Sequence, residues 1–185
     1  MARQPVTLFR AVEATLVPQG EKVLLPEGAW LIVQQSLGGA FTLMNDRGQL
    51  LRIDAADADA LGPKYEEESR KAAEARAATL EGPFDVQKVW TALGDVYDPE
   101  IPSSIVELGL VYQLAAEPVE GGHKVLVHMT LTAPGCGVGP MLVDDVRRAC
   151  LSVPGVKDAQ VELVFDPPWD PSRMSEAARL QLGFL

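Results

Sequence analysis

Short apolar runs separated by turn residues mark the first third of the chain. Residues 30–35 and 41–44 are two such runs, divided by Gly38 and Gly39. Asn45-Asp46-Arg47-Gly48 is a turn sequence, and residues 50–53 are placed to pair back as a hairpin. Leu24-Leu25-Pro26-Glu27-Gly28 reads as a strand end and turn. Residues 1–62 are therefore expected to form a small β domain, with residues 54–61 adding one helical turn.

The pattern changes at Gly62-Pro63. Residues 64–81 are mostly alanine and long charged side chains, which favour helix. Glu66/Arg70 and Glu67/Lys71 stand at i,i+4 in the favourable order. The apolar stripe is thin. The spacing predicts an exposed connecting helix over residues 63–83, ending at Gly82-Pro83; a flexible tether is the alternative.

Residues 84–185 carry the longest patterned stretch. Val86, Val89, Trp90, Leu93 and Tyr97 recur at helical spacing behind Asp85, an N-cap candidate, and Asp98-Pro99 is expected to end that helix. Residues 108–114 read as a strand, and Glu120-Gly121-Gly122 as a turn. Residues 124–132 alternate cleanly, with Val125, Val127, Met129 and Leu131 on one face. A second helix is expected from about Pro140 to Leu151, and a third strand over 156–165. Asp170-Pro171 looks like the opening of a last helix running through Leu182. The order α-β-β-α-β-α predicts an α+β layer sandwich.

Composition narrows the classes. The chain has 185 residues, 47% apolar and 23% charged, enough to bury a core. The formal net charge of -10 disfavours nucleic acid and anionic lipid as partners. No apolar run is long enough to span a membrane, and Arg3, Gln4, Arg10 and Glu13 argue against a signal peptide. A cytoplasmic location is the expectation.

Chemistry concentrates in Thr130-Leu131-Thr132-Ala133-Pro134-Gly135-Cys136-Gly137-Val138-Gly139-Pro140. A strand ends here, three glycines loosen the backbone, and Pro140 suits a first helical turn. Cys136 is thus expected just before a helix N-terminus, where free N–H groups favour a thiolate. The competing reading is a small apolar filler in a tight turn. Cys150 follows Leu142, Val146 and Ala149 on one helical face and reads as core. Two thiols alone cannot close a tetrahedral metal site.

Asp98-Pro99-Glu100-Ile101-Pro102 is a stiff acidic loop. It suits facing a metal, ordering a thiol or capping elements; on spacing alone, ordinary turn chemistry is favoured. Trp169, in Phe165-Asp166-Pro167-Pro168-Trp169-Asp170-Pro171, suits core packing or a partner surface, with packing favoured. His128 is placed on the strand face of Thr130 and Thr132, and His123 in an exposed turn. An enzyme using Cys136 as a nucleophile lacks a convincing base unless His128 reaches the thiol.

Five separated motifs carry a family resemblance. They are Asp98-Pro99-Glu100-Ile101-Pro102, Ile105-Val106-Glu107-Leu108-Gly109-Leu110-Val111-Tyr112, Met129-Thr130-Leu131-Thr132 with Cys136, Pro154-Gly155-Val156, and Asp166-Pro167-Pro168-Trp169. In that order they resemble the iron–sulfur cluster assembly (FSCA, MIP18-like) domain over roughly residues 84–182. Residues 25–28, 34–42 and 59–62 look like the N-terminal extension of bacterial SufT proteins. Gly137 stands where many family members have proline.

The resemblance implies a non-catalytic factor of the SUF system that helps deliver clusters to apo-proteins. It makes Cys136 the functional thiol and metal ligand, with Asp98, Glu100 and Thr132 beside the bound group. The implied partners are SUF assembly proteins and apo iron–sulfur clients. One thiolate cannot saturate a cluster, whose irons want about four such ligands. A cluster or iron would therefore be transient, shared across a homodimer or completed by a client. A metal-free adaptor binding the same proteins is the rival.

Overall fold

The computed structural model describes residues 4–184; residues 1–3 of the expected β domain and residue 185 lie outside the described residues. The chain divides into two compact units, Met1–Ala78 and Thr79–Leu185.

The first unit is built on a six-stranded antiparallel sheet. Its strands are β1 (Gln4–Thr7), β2 (Val12–Val17), β3 (Lys22–Leu25), β4 (Trp30–Leu37), β5 (Ala40–Met44) and β6 (Leu50–Ile53). They lie in the order β1-β4-β5-β6-β2-β3. The β5–β6 hairpin closes where the turn sequence stands, with Asn45 Oδ1 accepting from the Arg47 and Gln49 amides at 3.0 and 2.9 Å. Strands β1 and β2 were not individually legible, because each is short and broken by polar residues. Yet Val12 and Ala14 are buried while Glu13 is exposed, which is the alternation of a half-buried strand. Leu31, Phe41, Leu43, Leu51 and Ile53 form the centre of this unit's core.

Residues 55–61, expected to add one helical turn, form a 3-10 helix. Arg10 pins it by donating to Asp57 and to both carboxylate oxygens of Asp59 at 2.6–2.8 Å. Helix α1 (Pro63–Leu80) follows. Its body is held by ion pairs along its surface. Lys71 meets Glu67 as the spacing predicts, whereas Arg70 bonds Glu67 and Glu74. Its first turn is not bare. Tyr65 is buried and packs edge-to-face on Phe41, ring centroids 5.6 Å apart.

The second unit is mixed α+β. Helix α2 (Val86–Leu93) precedes β7 (Val111–Val119) and β8 (Gly122–Met129). Helix α3 (Gly139–Leu151), β9 (Val156–Leu163) and α4 (Glu176–Leu182) complete it. The sheet order is β7-β8-β9, with β8 antiparallel to β7 and parallel to β9. Parallel pairing requires a crossover, which α3 provides. Val125, Val127 and Met129 of β8 are fully buried, and they meet Val89, Leu93, Leu142 and Val146 in one core. Each such side chain contributes roughly 1.5–3 kcal/mol by leaving water.

Several boundaries differ from the sequence expectation. Helix α2 stops at Leu93, capped by Gly94, so Tyr97 leaves the helix and bridges Ser104 instead. Strand β7 starts at Val111 because Gly109, at φ +67, turns the chain and lets the Leu110 amide bond Ile105. Strand β8 ends at Met129, where the Thr130 amide leaves the ladder for the Leu110 carbonyl at 2.8 Å. Asp170 caps only a 3-10 turn, Pro171–Arg173; buried Met174 is extended, and Ser175 caps α4 by accepting from the Ala178 amide.

Candidate functional site

Cys136 sits in the loop between β8 and α3. It is half-buried, packed against the edge of the core, and its carbonyl accepts from the Gly139 amide at 3.1 Å. Helix α3 begins there without a side-chain cap. Gly139 allows that start: a Cβ would stand 2.9 Å from the Leu131 Cδ1 atom. Gly135 takes φ +78, a conformation that costs a side chain. Cys136 therefore stands two residues before Val138, the N-cap of α3, close to where the glycine and proline spacing predicts it. Thr132 is half-buried at the start of the same loop.

Cys150 has the opposite environment. It is fully buried in α3, and desolvation pushes its thiol up to about 12. The two cysteines are both free. Their environments differ because the helix turns Cys150 inward, whereas the loop leaves Cys136 partly open.

The acidic loop is a built structure. Asp98 is 6% exposed, and its Oδ1 accepts from the amides of Glu100 and Ile101 at 2.8 and 3.0 Å. Burial nonetheless raises its carboxyl above the ordinary range, with the two backbone bonds opposing. Glu100 is exposed, and partial desolvation together with the Asp98 charge raises its carboxyl too. Backbone bonds run from this loop towards the cysteine loop: Ile105 to Val96, Leu110 to Ile105, Thr130 to Leu110. Among the described residues, buried Thr130 Oγ1 has no hydrogen-bond partner. The sequence placed Thr130 in the cysteine segment and on the strand face of His128 and Thr132, but gave it no role of its own.

The Pro-rich turn after β9 clamps this region. The Trp169 indole donates to the Leu108 carbonyl at 2.8 Å, the Tyr112 hydroxyl donates to the Pro167 carbonyl at 3.0 Å, and Arg173 lies over the Tyr112 ring. Trp169 is thus half-buried packing, while Phe165 beside it is 44% exposed.

Both histidines lie on β8. His128 lies opposite Glu162 on the parallel partner strand, Nε2 to Oε2 3.5 Å. His123 belongs to β8, not to an exposed turn, and stacks on Phe84 with ring centroids 3.8 Å apart. Among the described residues, no three His, Cys, Asp or Glu side chains are grouped to hold a metal ion. No described helix is long and apolar enough to cross a membrane.

A family model described as iron–sulfur cluster assembly protein matches residues 86–163, which spans α2, the acidic loop and Cys136. An "Fe-S protein maturation auxiliary factor" of Porphyromonas gingivalis is 46% identical over 93 residues, covering 50% of this chain and 86% of that protein. The chain belongs to the iron–sulfur cluster assembly protein family. The family's "Fe-S protein maturation auxiliary factor SufT" of Staphylococcus aureus is 41% identical over 88 residues, 48% of this chain and 97% of that one. A crystal structure of a domain of unknown function, DUF59, from Bacillus anthracis is 37% identical and covers 54% of this chain and 92% of its own, at a TM-score of 0.48. The family match lies within the second unit; the six-stranded first unit precedes it.

Proposed function

We propose that this protein is an iron–sulfur cluster maturation factor that assists delivery of clusters to apo-proteins in the cytoplasm, in concert with SUF assembly components. The observation that carries the reading is the contrast between its thiols. Cys136 is partly open in a loop of the family's matched region, whereas Cys150 is sealed in the core. One open thiol cannot hold a cluster alone. The cluster is therefore cargo, held transiently and completed by a second chain or a client. Such lability suits handing on rather than electron transfer.

In this reading Cys136 is the ligand, and Asp98, Glu100 and Thr132 shape the surroundings of the bound group. Helices on the buried face of β8 make the second unit a layer sandwich, with the cysteine loop at the strand end. Residues 1–62 act as a separate β domain and 63–83 as its connection to the assembly domain.

Anaerobic reconstitution with iron and sulfide tests the reading. Wild-type protein is expected to gain visible absorbance and pass it to an apo-acceptor, and Cys136→Ser to do neither. If both proteins stay colourless, direct cluster handling is overturned.

A metal-free adaptor is the second reading, favoured by the apolar side chains of Phe165, Leu180 and Phe184, each at least 44% exposed. An adaptor would keep its partners in a pull-down after Cys136→Ser.

A further inference from the structure

The first unit contains a cavity of about 400 Å³ between β4 and the start of α1. Its size suits a small metabolite. Its lining is mixed: Gln4, Gln34, Ser36, Lys64, Tyr65 and Glu68 border it beside apolar Val33.

Three features organise it. Strand β4 carries a bulge, since its register moves from Val33 opposite Leu43 to Gln35 opposite Thr42, leaving Gln34 as the extra residue. Bulges re-aim side chains. The buried Nε2 of Gln34 has no acceptor among the described residues. Next, two donors converge on one oxygen. Gln4 Oε1 accepts from Lys64 Nζ at 2.5 Å and from the Tyr65 hydroxyl at 3.4 Å. Burial raises the Tyr65 phenol above its ordinary value, so it stays a donor. Last, Glu68 Oε1 stands 3.9 Å from Lys64 Nζ and offers a negative acceptor on the same wall.

Gln4 is an exposed residue on a four-residue strand at the sheet edge, and it offers only a neutral amide oxygen to an ammonium and a phenol. A carboxylate is the stronger acceptor for both. An ammonium on the same molecule would reach Glu68. We propose that this cavity binds a small amino-acid-like zwitterion, its carboxylate replacing the Gln4 amide oxygen at Lys64 and Tyr65. The site is separate from Cys136, so its failure leaves the maturation reading untouched.

The test is binding to the full chain, followed by amide chemical shifts. Probes are the free amino acids, first as a mixture and then singly at millimolar concentration, with propionate, methylammonium and inorganic phosphate as controls. At least one amino acid is expected to shift the Gln34, Ser36 and Tyr65 amides. Gln34→Leu and Lys64→Met are expected to weaken it tenfold or more with an unchanged melting curve. Lys64→Met alters an exposed side chain, so the test survives if Gln34→Leu misfolds. The proposal is overturned if no amino acid binds, if Lys64→Met binds as wild type, or if propionate or phosphate binds equally well.

Discussion

The Trp169 indole N–H donates to the Leu108 carbonyl at 2.8 Å across 61 residues of sequence. This bond joins the end of the chain's Pro-rich turn to the segment leading from the acidic loop into β7. Trp169→Phe keeps most of the ring and leaves the Leu108 carbonyl unpaired. A loss of about 1–2 kcal/mol is expected in urea denaturation. Trp169→Ala should lose about 3–5 kcal/mol. If Trp169→Phe matches wild type, the bond contributes nothing.

Two glycines separate backbone strain from crowding. Gly109 and Gly135 both have positive φ, +67 and +78. A Cβ at Gly109 would sit 2.2 Å from the Arg173 carbonyl oxygen, whereas nothing lies within 4 Å at Gly135. Gly135→Ala is expected to cost about 1–2 kcal/mol. Gly109→Ala should cost clearly more, about 3 kcal/mol or above, because backbone must move. Equal melting temperatures for the two variants would refute the crowding argument.

Thiol counting separates the cysteines. In native protein, a disulfide reagent should label one thiol per chain quickly, and two after denaturation. Cys136→Ser should abolish the fast phase and Cys150→Ala should leave it intact. The reason is that Cys150 is fully buried with its thiol pushed up to about 12. Fast labelling in Cys136→Ser would contradict the burial of Cys150.

Asp98 couples stability to pH. Desolvation holds its folded-state carboxyl above the ordinary 3.8, and Glu100 is raised in the same direction by burial and by the Asp98 charge. The folded chain keeps these protons at a pH where the unfolded chain has released them. Their contribution therefore favours folding at low pH and is lost as pH rises from about 4 through the folded-state values. Asp98→Asn retains an acceptor for the Glu100 and Ile101 amides. It should flatten that slope and leave stability at neutral pH equal or higher. Urea midpoints at several pH values would show it, and an unchanged slope would sink the assignment. If cluster transfer falls in Asp98→Asn while stability does not, the carboxylate acts in function rather than folding.

Much of the second unit was readable in the sequence. The alternation at Val125, Val127 and Met129 gives β8 its buried face directly, and Leu142, Val146 and Ala149 give α3 its core stripe. Patterns of this kind report the local period of the backbone. Boundaries were less readable. Tyr97 fits the period of α2, yet Gly94 ends the helix first and a bridge to Ser104 takes Tyr97 away. Met174 broke the expected last helix because its side chain is buried while the backbone stays extended. His123 reads as a turn residue after two glycines, but pairing of β8 begins at Gly122 and brings it onto Phe84.

The sequence by itself determined the element order of the second unit, the family motifs and the candidacy of Cys136, because these depend on neighbouring residues and short-range backbone preference. Only the tertiary structure decided that Cys136 is half-open while Cys150 is sealed, and that Asp98 is buried on its own backbone amides. It alone joined Trp169 to Leu108 and placed Gln34, Lys64 and Tyr65 around one cavity. Burial and convergence arise from contacts between segments far apart in the chain. No local period encodes which distant surface covers a side chain.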